Sequence, residues 1–141
     1  MSALDNALDG LVGKWKGELL SILRIVSAYM FMLHGTQKMF SFPVEANREF
    51  VLASLNPGLI GVLEVFGGAL LLIGLFTRPI AFLLSGSMAF AYWMAHAPRG
   101  SAIFPVTNGG DAAILYCFLF LFISAAGAGA WAVDNMMKKG S

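Results

Sequence analysis

Residues Leu19 to Met39 read LLSILRIVSAYMFMLHGTQKM. No proline and no acid interrupts the run, and its length is close to the ~20 residues that a bilayer-crossing helix needs. Yet it carries Arg24, His34 and Lys38. A charge at the bilayer centre costs about 2.5 kcal/mol or more on insertion scales, so each such group needs a partner or a task. Arg24, Ser27, Phe31, His34 and Lys38 step by 3, 4, 3 and 4, which puts them on one face of a helix. Lipid would leave Arg24 unpaired, so this face looks into protein.

Three further apolar runs follow: Pro57 to Phe76, Pro79 to Ala97, and Asp111 to Val133. Polar connections at 41–56 and 98–110 separate the spans, and Thr77-Arg78-Pro79 makes a tight turn in which proline suits a first helical turn. The chain is 58% hydrophobic and 12% charged, too little charge to coat a soluble surface. These features predict an all-α, integral membrane four-helix bundle. Before it, Leu4, Leu8, Leu11, Val12, Trp15 and Leu19 recur at helical spacing among charged residues, which predicts an amphipathic interfacial helix over 4–19 weakened by Gly10 and Gly13. The layout is then an amphipathic segment (1–18), one four-span domain (19–134) and a basic tail (135–141). The leader is mixed-charge and long, and no small-residue cleavage site follows the first span, so that span is expected to be retained.

Counting Lys and Arg near the spans gives Lys14, Lys16, Arg78, Lys138 and Lys139 on one side, against Lys38, Arg48 and Arg99 on the other. The positive-inside rule then puts both termini in the cytoplasm of a bacterial inner membrane and both longer loops outside. A net charge of +1 without a basic stripe excludes nucleic-acid binding. Cys117 is the single cysteine, so paired-thiol redox chemistry and multi-cysteine metal sites are excluded. It reads as a small core residue.

Spans one and three run in the same direction, so His34 and His96 reach the same, outer end, where Asn108 and Asp111 open span four. Glu64 lies about 10 Å deep from that end and Arg24 about 15 Å below His34, at 1.5 Å per residue. A buried Arg24–Glu64 ion pair is therefore expected, with His34, Lys38, His96, Asn108 and Asp111 forming a polar vestibule above it. Such a pair can equally be structural, fixing which helices are neighbours. Gly61, Gly67, Gly68 and Gly74, with Gly127 and Gly129 in span four, are read as packing positions that let helices approach. Asn108-Gly109-Gly110 is a turn before a helix, with Asp111 as its cap, rather than a phosphate loop. Two histidines on neighbouring helices suit a haem iron in principle, but both sit at helix ends. His34 and His96 with Asp111 or Glu64 match metal-ligand types, but no spacing enforces a site. No metal is assigned.

Several stretches resemble the DoxX family of small bacterial membrane proteins. They are Arg24 to Lys38 with His34-Gly35 inside it, and Glu64 followed by Gly67-Gly68 and Gly74-Leu75-Phe76-Thr77-Arg78. His96, Asn108-Gly109-Gly110-Asp111, and Gly127-Ala128-Gly129 before Asp134 complete the pattern. The resemblance spans Leu20 to Asp134. Asp111 stands where many relatives carry glutamate, which shortens the reach of that position. The resemblance implies four spans and a link to quinol-dependent or stress-related redox complexes.

The expected function is an oxidoreductase membrane subunit that binds a quinone or similar lipophilic redox molecule. His34, Glu64 and His96 would form the reactive site, and Arg24, Lys38, Asn108 and Asp111 would support the ligand. Membrane lipid and a redox protein partner are expected around it, with a homo-oligomer as a further arrangement. The alternatives are a non-catalytic assembly scaffold, whose outer loops dock the partner, and a small transporter. The latter lacks the inverted repeat and broken helices typical of that class.

Overall fold

The computed structural model describes residues 2–140, and among these all regular structure is helical. Six α-helices follow in order: α1 (Ala3–Leu11), α2 (Lys16–Phe40), α3 (Ile60–Ile73), α4 (Thr77–Ala91), α5 (Asp111–Ala126) and α6 (Val133–Lys139).

The Ser2 hydroxyl starts α1 by accepting the Asp5 N–H at 3.1 Å, while the Ser2 N–H donates to the Asp5 carboxylate at 2.9 Å. No residue of α1 is buried, and its Leu4, Leu8 and Leu11 are exposed. The single amphipathic helix expected over 4–19 is interrupted. α1 stops at Leu11, a tight 3-10 turn covers Gly13–Trp15, and α2 starts at Lys16. The glycines explain the break: they favour helix poorly, and the Asp9 side chain occupies the space that a Cβ on Gly13 would need.

The helical stretches Ala3–Phe40, Leu55–Ile73 and Thr77–Arg99 are long and apolar enough to cross a membrane, and α5 is a shorter apolar helix. Span four ends at Ala126, short of the Val133 that hydropathy predicts. Its 16 residues rise about 24 Å, less than the ~30 Å hydrocarbon core. Gly127 (φ 96°) and Gly129 (φ 82°) adopt backbone conformations that other residues resist, so they end the helix, and Gly129 also lets the chain approach α2, where a Cβ would come within 2.6 Å of Ser21 N and 2.7 Å of Gly17 O. The chain after them folds back against α2, where Ala130 N–H donates to Gly17 O at 3.0 Å.

α2 lies along α3 and α4 along α5, with smaller contacts between α3 and α4 and between α2 and α5. The α2–α3 seam is closest at Gly35, where a Cβ would come within 2.8 Å of the Gly61 carbonyl and of Glu64 Cβ. Gly68 similarly faces Met32. Phe31, Leu71, Leu84, Met88, Phe120 and Ile123 centre the core, and Phe31 meets Phe120 edge-on at 5.0 Å. Phe66, Phe82, Trp93, Leu115 and Phe118 project outward, as befits a surface against lipid tails.

Candidate functional site

Two polar centres lie at opposite ends of the helices. The first surrounds Arg24, which is fully buried. Its Nε donates to Ala128 O at 2.8 Å, Nη1 to Leu71 O and Leu72 O at 2.6 Å each, and Nη2 to Trp131 O. The guanidinium thus neutralises the carbonyl end of α3 and ties it to the segment after α5. α3 ends there because Gly74 takes a left-handed conformation (φ 72°), with Leu75 N–H donating to Leu70 O at 3.0 Å. Nearby, Arg78 Nη1 donates to Ala125 O at 2.7 Å, and the Ser21 hydroxyl accepts the Trp131 N–H at 2.9 Å. The Asp134 carboxylate accepts the Phe76 and Thr77 N–H groups at 2.7 and 2.9 Å, capping α4 from the far end of the chain. Burial raises the Asp134 pKa, but hydrogen bonds from Thr77 and Phe76 and the charge of Lys138 outweigh it and hold the group below the usual carboxylate value. A hollow of about 810 Å³ lies here, lined by Arg78, Gly127, Asp134 and their neighbours.

The second centre lies around Glu64. Both its oxygens accept from Lys38 Nζ, at 2.6 and 2.7 Å, and the carboxylate is buried. The expected Arg24–Glu64 pair is therefore absent, and Lys38 is the partner. The helix register explains this. Gly35 faces Glu64 across the seam, and Arg24 lies eleven residues before Gly35, about 16 Å away along the axis. Level outer ends for the two helices would bring Arg24 and Glu64 to similar depth. The glycine contacts instead shift α3 along α2.

His34, Lys38, Glu64 and His96 all line one cavity of about 680 Å³, with Phe31, Met88 and Tyr116 among its apolar walls. The His34 ring is exposed and meets Tyr116 edge-on at 6.3 Å. His96 is half-buried, with Nδ1 at 3.3 Å from Asn108 O. A carbonyl only accepts, so this contact assigns the proton to Nδ1 and leaves the Nε2 lone pair free. The helix widens just before His96: Tyr92–His96 forms a π-helical turn, and the Tyr92 hydroxyl donates to Ala102 O at 2.7 Å.

Arg24, Asn108 and Asp111 do not line this cavity. Asn108 is buried and organises the loop behind His96: its Nδ2 donates to Ser101 O at 3.0 Å and its Oδ1 accepts the Gly110 N–H at 2.8 Å. Asp111 is exposed and is the first residue of α5, while Gly110 holds the cap position. Sequence reasoning passed over Arg48, Arg99, Asn56 and Tyr116, which also line the cavity. Arg99, one turn beyond His96, was open to a spacing argument. Arg48 sits in an irregular loop where no periodicity places it. Among the described residues, no three His, Cys, Asp or Glu side chains cluster as a metal site.

No solved structure matches the chain. An uncharacterized protein of Haemophilus influenzae is 46% identical over 129 residues, covering 89% of this chain and 96% of that protein. The family model described as DoxX matches residues 19–97, more than half of the chain and including Arg24, His34, Lys38, Glu64 and His96. The chain belongs to the DoxX family.

Proposed function

We propose that this protein is a membrane subunit of an oxidoreductase system and holds a quinone or similar lipophilic redox molecule in the 680 Å³ cavity. The observation that carries the reading is the cavity's lining: a histidine nitrogen and a buried ion pair set among aromatic and methionine side chains. Such a lining fits a flat, apolar ring bearing a few polar oxygens. A quinone supplies exchange of two electrons and two protons when bound. His96, its Nδ1 held by the Asn108 carbonyl, offers Nε2 as a proton acceptor. Lys38 directs its ammonium at Glu64 and keeps that carboxylate hydrogen-bonded within the apolar wall. Phe31, Met88 and Tyr116 supply an apolar wall at this end. The lining side chains move protons rather than electrons, so the electrons come from a partner protein. Exposed Ile103, Phe104 and Val106 on the loop before α5 give that partner an apolar contact. The same loop also suits a non-catalytic scaffold, the second reading.

The test separating them is mass spectrometry of the organic extract from protein purified in lipid nanodiscs. About one quinone per chain in the wild type, lost in His96→Ala with helix content unchanged, supports the redox reading. Quinone-free wild type favours the scaffold.

The inner membrane with both termini in the cytoplasm is part of the proposal. The hydrogen bonds of Arg24 and Ser21 to the segment after α5 put the start of α2 and that segment at one end, where Lys14, Lys16, Arg78 and Lys139 also lie. In a Cys117→Ala background, Ile103→Cys should react with a membrane-impermeant maleimide on intact cells. Reaction of Met136→Cys instead reverses the orientation.

A further inference from the structure

Lys38, Arg48, Asn56 and Arg99 border both the 680 Å³ cavity and a smaller hollow of about 270 Å³ beside it. Arg48 comes from the loop after α2, and Arg99 from the turn that ends the α4 stretch. Segments far apart in the chain thus bring two guanidinium groups to one mouth. Glu64 is the one carboxylate among the lining residues, and Lys38 already occupies both its oxygens. Glu45, Glu49 and Asp111 line neither hollow. Among the described residues, Arg48 and Arg99 form no ion pair with a carboxylate.

The mouth therefore carries uncompensated positive charge beside an apolar wall. Guanidinium presents paired N–H donors that match carboxylate, phosphate or enolate oxygens, and its field reaches further where water is displaced. We infer that the cavity selects an anionic amphiphile: an apolar ring or chain enters the cavity, and an ionised oxygen group meets Arg48 and Arg99. This rests on the reading of the cavity as a ligand site and narrows that ligand to an acid. An acidic hydroxyquinone and the head group of an anionic lipid share this chemistry.

The experiment compares two probes on the full chain in phosphatidylcholine nanodiscs: a hydroxynaphthoquinone, ionised at neutral pH, and its neutral methoxy analogue. The ionised probe should bind about tenfold more tightly, the ratio expected for one charge-assisted contact. Arg48→Gln with Arg99→Gln should remove that preference and leave the methoxy analogue unaffected. Both arginines are exposed, so the double variant retains its core contacts. Equal binding of the two probes overturns the anion inference while leaving the ligand site standing. Preference for the acid that survives the double variant also overturns it, since the anion then sits elsewhere. Failure of both probes to bind the wild type removes the site and the inference together. Adding phosphatidylglycerol to the discs distinguishes the sources. Displacement of the acid identifies a lipid head group as the occupant, and unchanged binding identifies a diffusible acid.

Discussion

Arg24 and Glu64 are both buried, and the chain solves the two burials differently. Arg24 is satisfied by carbonyl oxygens at a helix end, Glu64 by an ammonium one turn beyond its level on α2. Lys38→Ala would strand the Glu64 carboxylate and should cost about 3 kcal/mol, most of it recovered when Glu64→Leu is added. Arg24→Leu should be at least as damaging because it orphans several carbonyls, and Glu64→Leu should not rescue it. Melting of the single and double variants in detergent checks both couplings; rescue of Arg24→Leu by Glu64→Leu would contradict the assignment. The sequence already showed that Arg24, Ser27 and Phe31 share a buried face. Counting depth from assumed helix ends misjudged the partner, because register depends on where glycines let the helices touch. Asn108 was misjudged for a similar reason: its side chain is used within its own loop, which spacing does not reveal.

At the level of elements, glycine decides both contact and termination. Gly35→Ala pushes a methyl group into the Gly61 carbonyl and Glu64, so α2 and α3 must separate. It should destabilise markedly, whereas Gly86→Ala, with open space around it on α4, should stabilise by about 0.5–1 kcal/mol. Equal effects in thermal unfolding would count against the seam. The attachment of α6 depends on an ionised Asp134. Its pKa is lowered in the fold, so the contribution is fully present above the ordinary value of 3.8 and fades as pH falls through the lower folded value. With Trp15 and Trp93 replaced by Phe, Trp131 emission should therefore change only below about pH 3.8, and Asp134→Asn should remove that step. The same step in both proteins would place the titration elsewhere. Helix identity was legible from hydropathy, while the early end of α5 was not. Gly127 and Gly129 read from sequence as packing positions, and only the backbone shows that they also terminate the helix.

For the whole molecule, the division of labour runs from end to end. The Arg24 end is tied by hydrogen bonds to main-chain carbonyls, while the Glu64 end keeps a cavity beside the kink at Asn56 and the wide helical turn Tyr92–His96. The all-helical character, the apolar spans and the gathering of His34, Lys38, Glu64 and His96 followed from sequence because span polarity and helix periodicity constrain them. Loop-borne Arg48 and the folded-back segment after α5 did not, since irregular backbone has no period to read. On the function proposed above, a lipophilic ligand occupies the cavity at the Glu64 end. The most direct measurement is photolabelling of the protein in nanodiscs with an azidoquinone, followed by peptide mass spectrometry. Labelling within 31–38, 90–99 or 112–116, competed by unmodified quinone, is the expected result. Competed labelling confined to 76–79 and 126–138, around the 810 Å³ hollow at the opposite end, would contradict that occupancy.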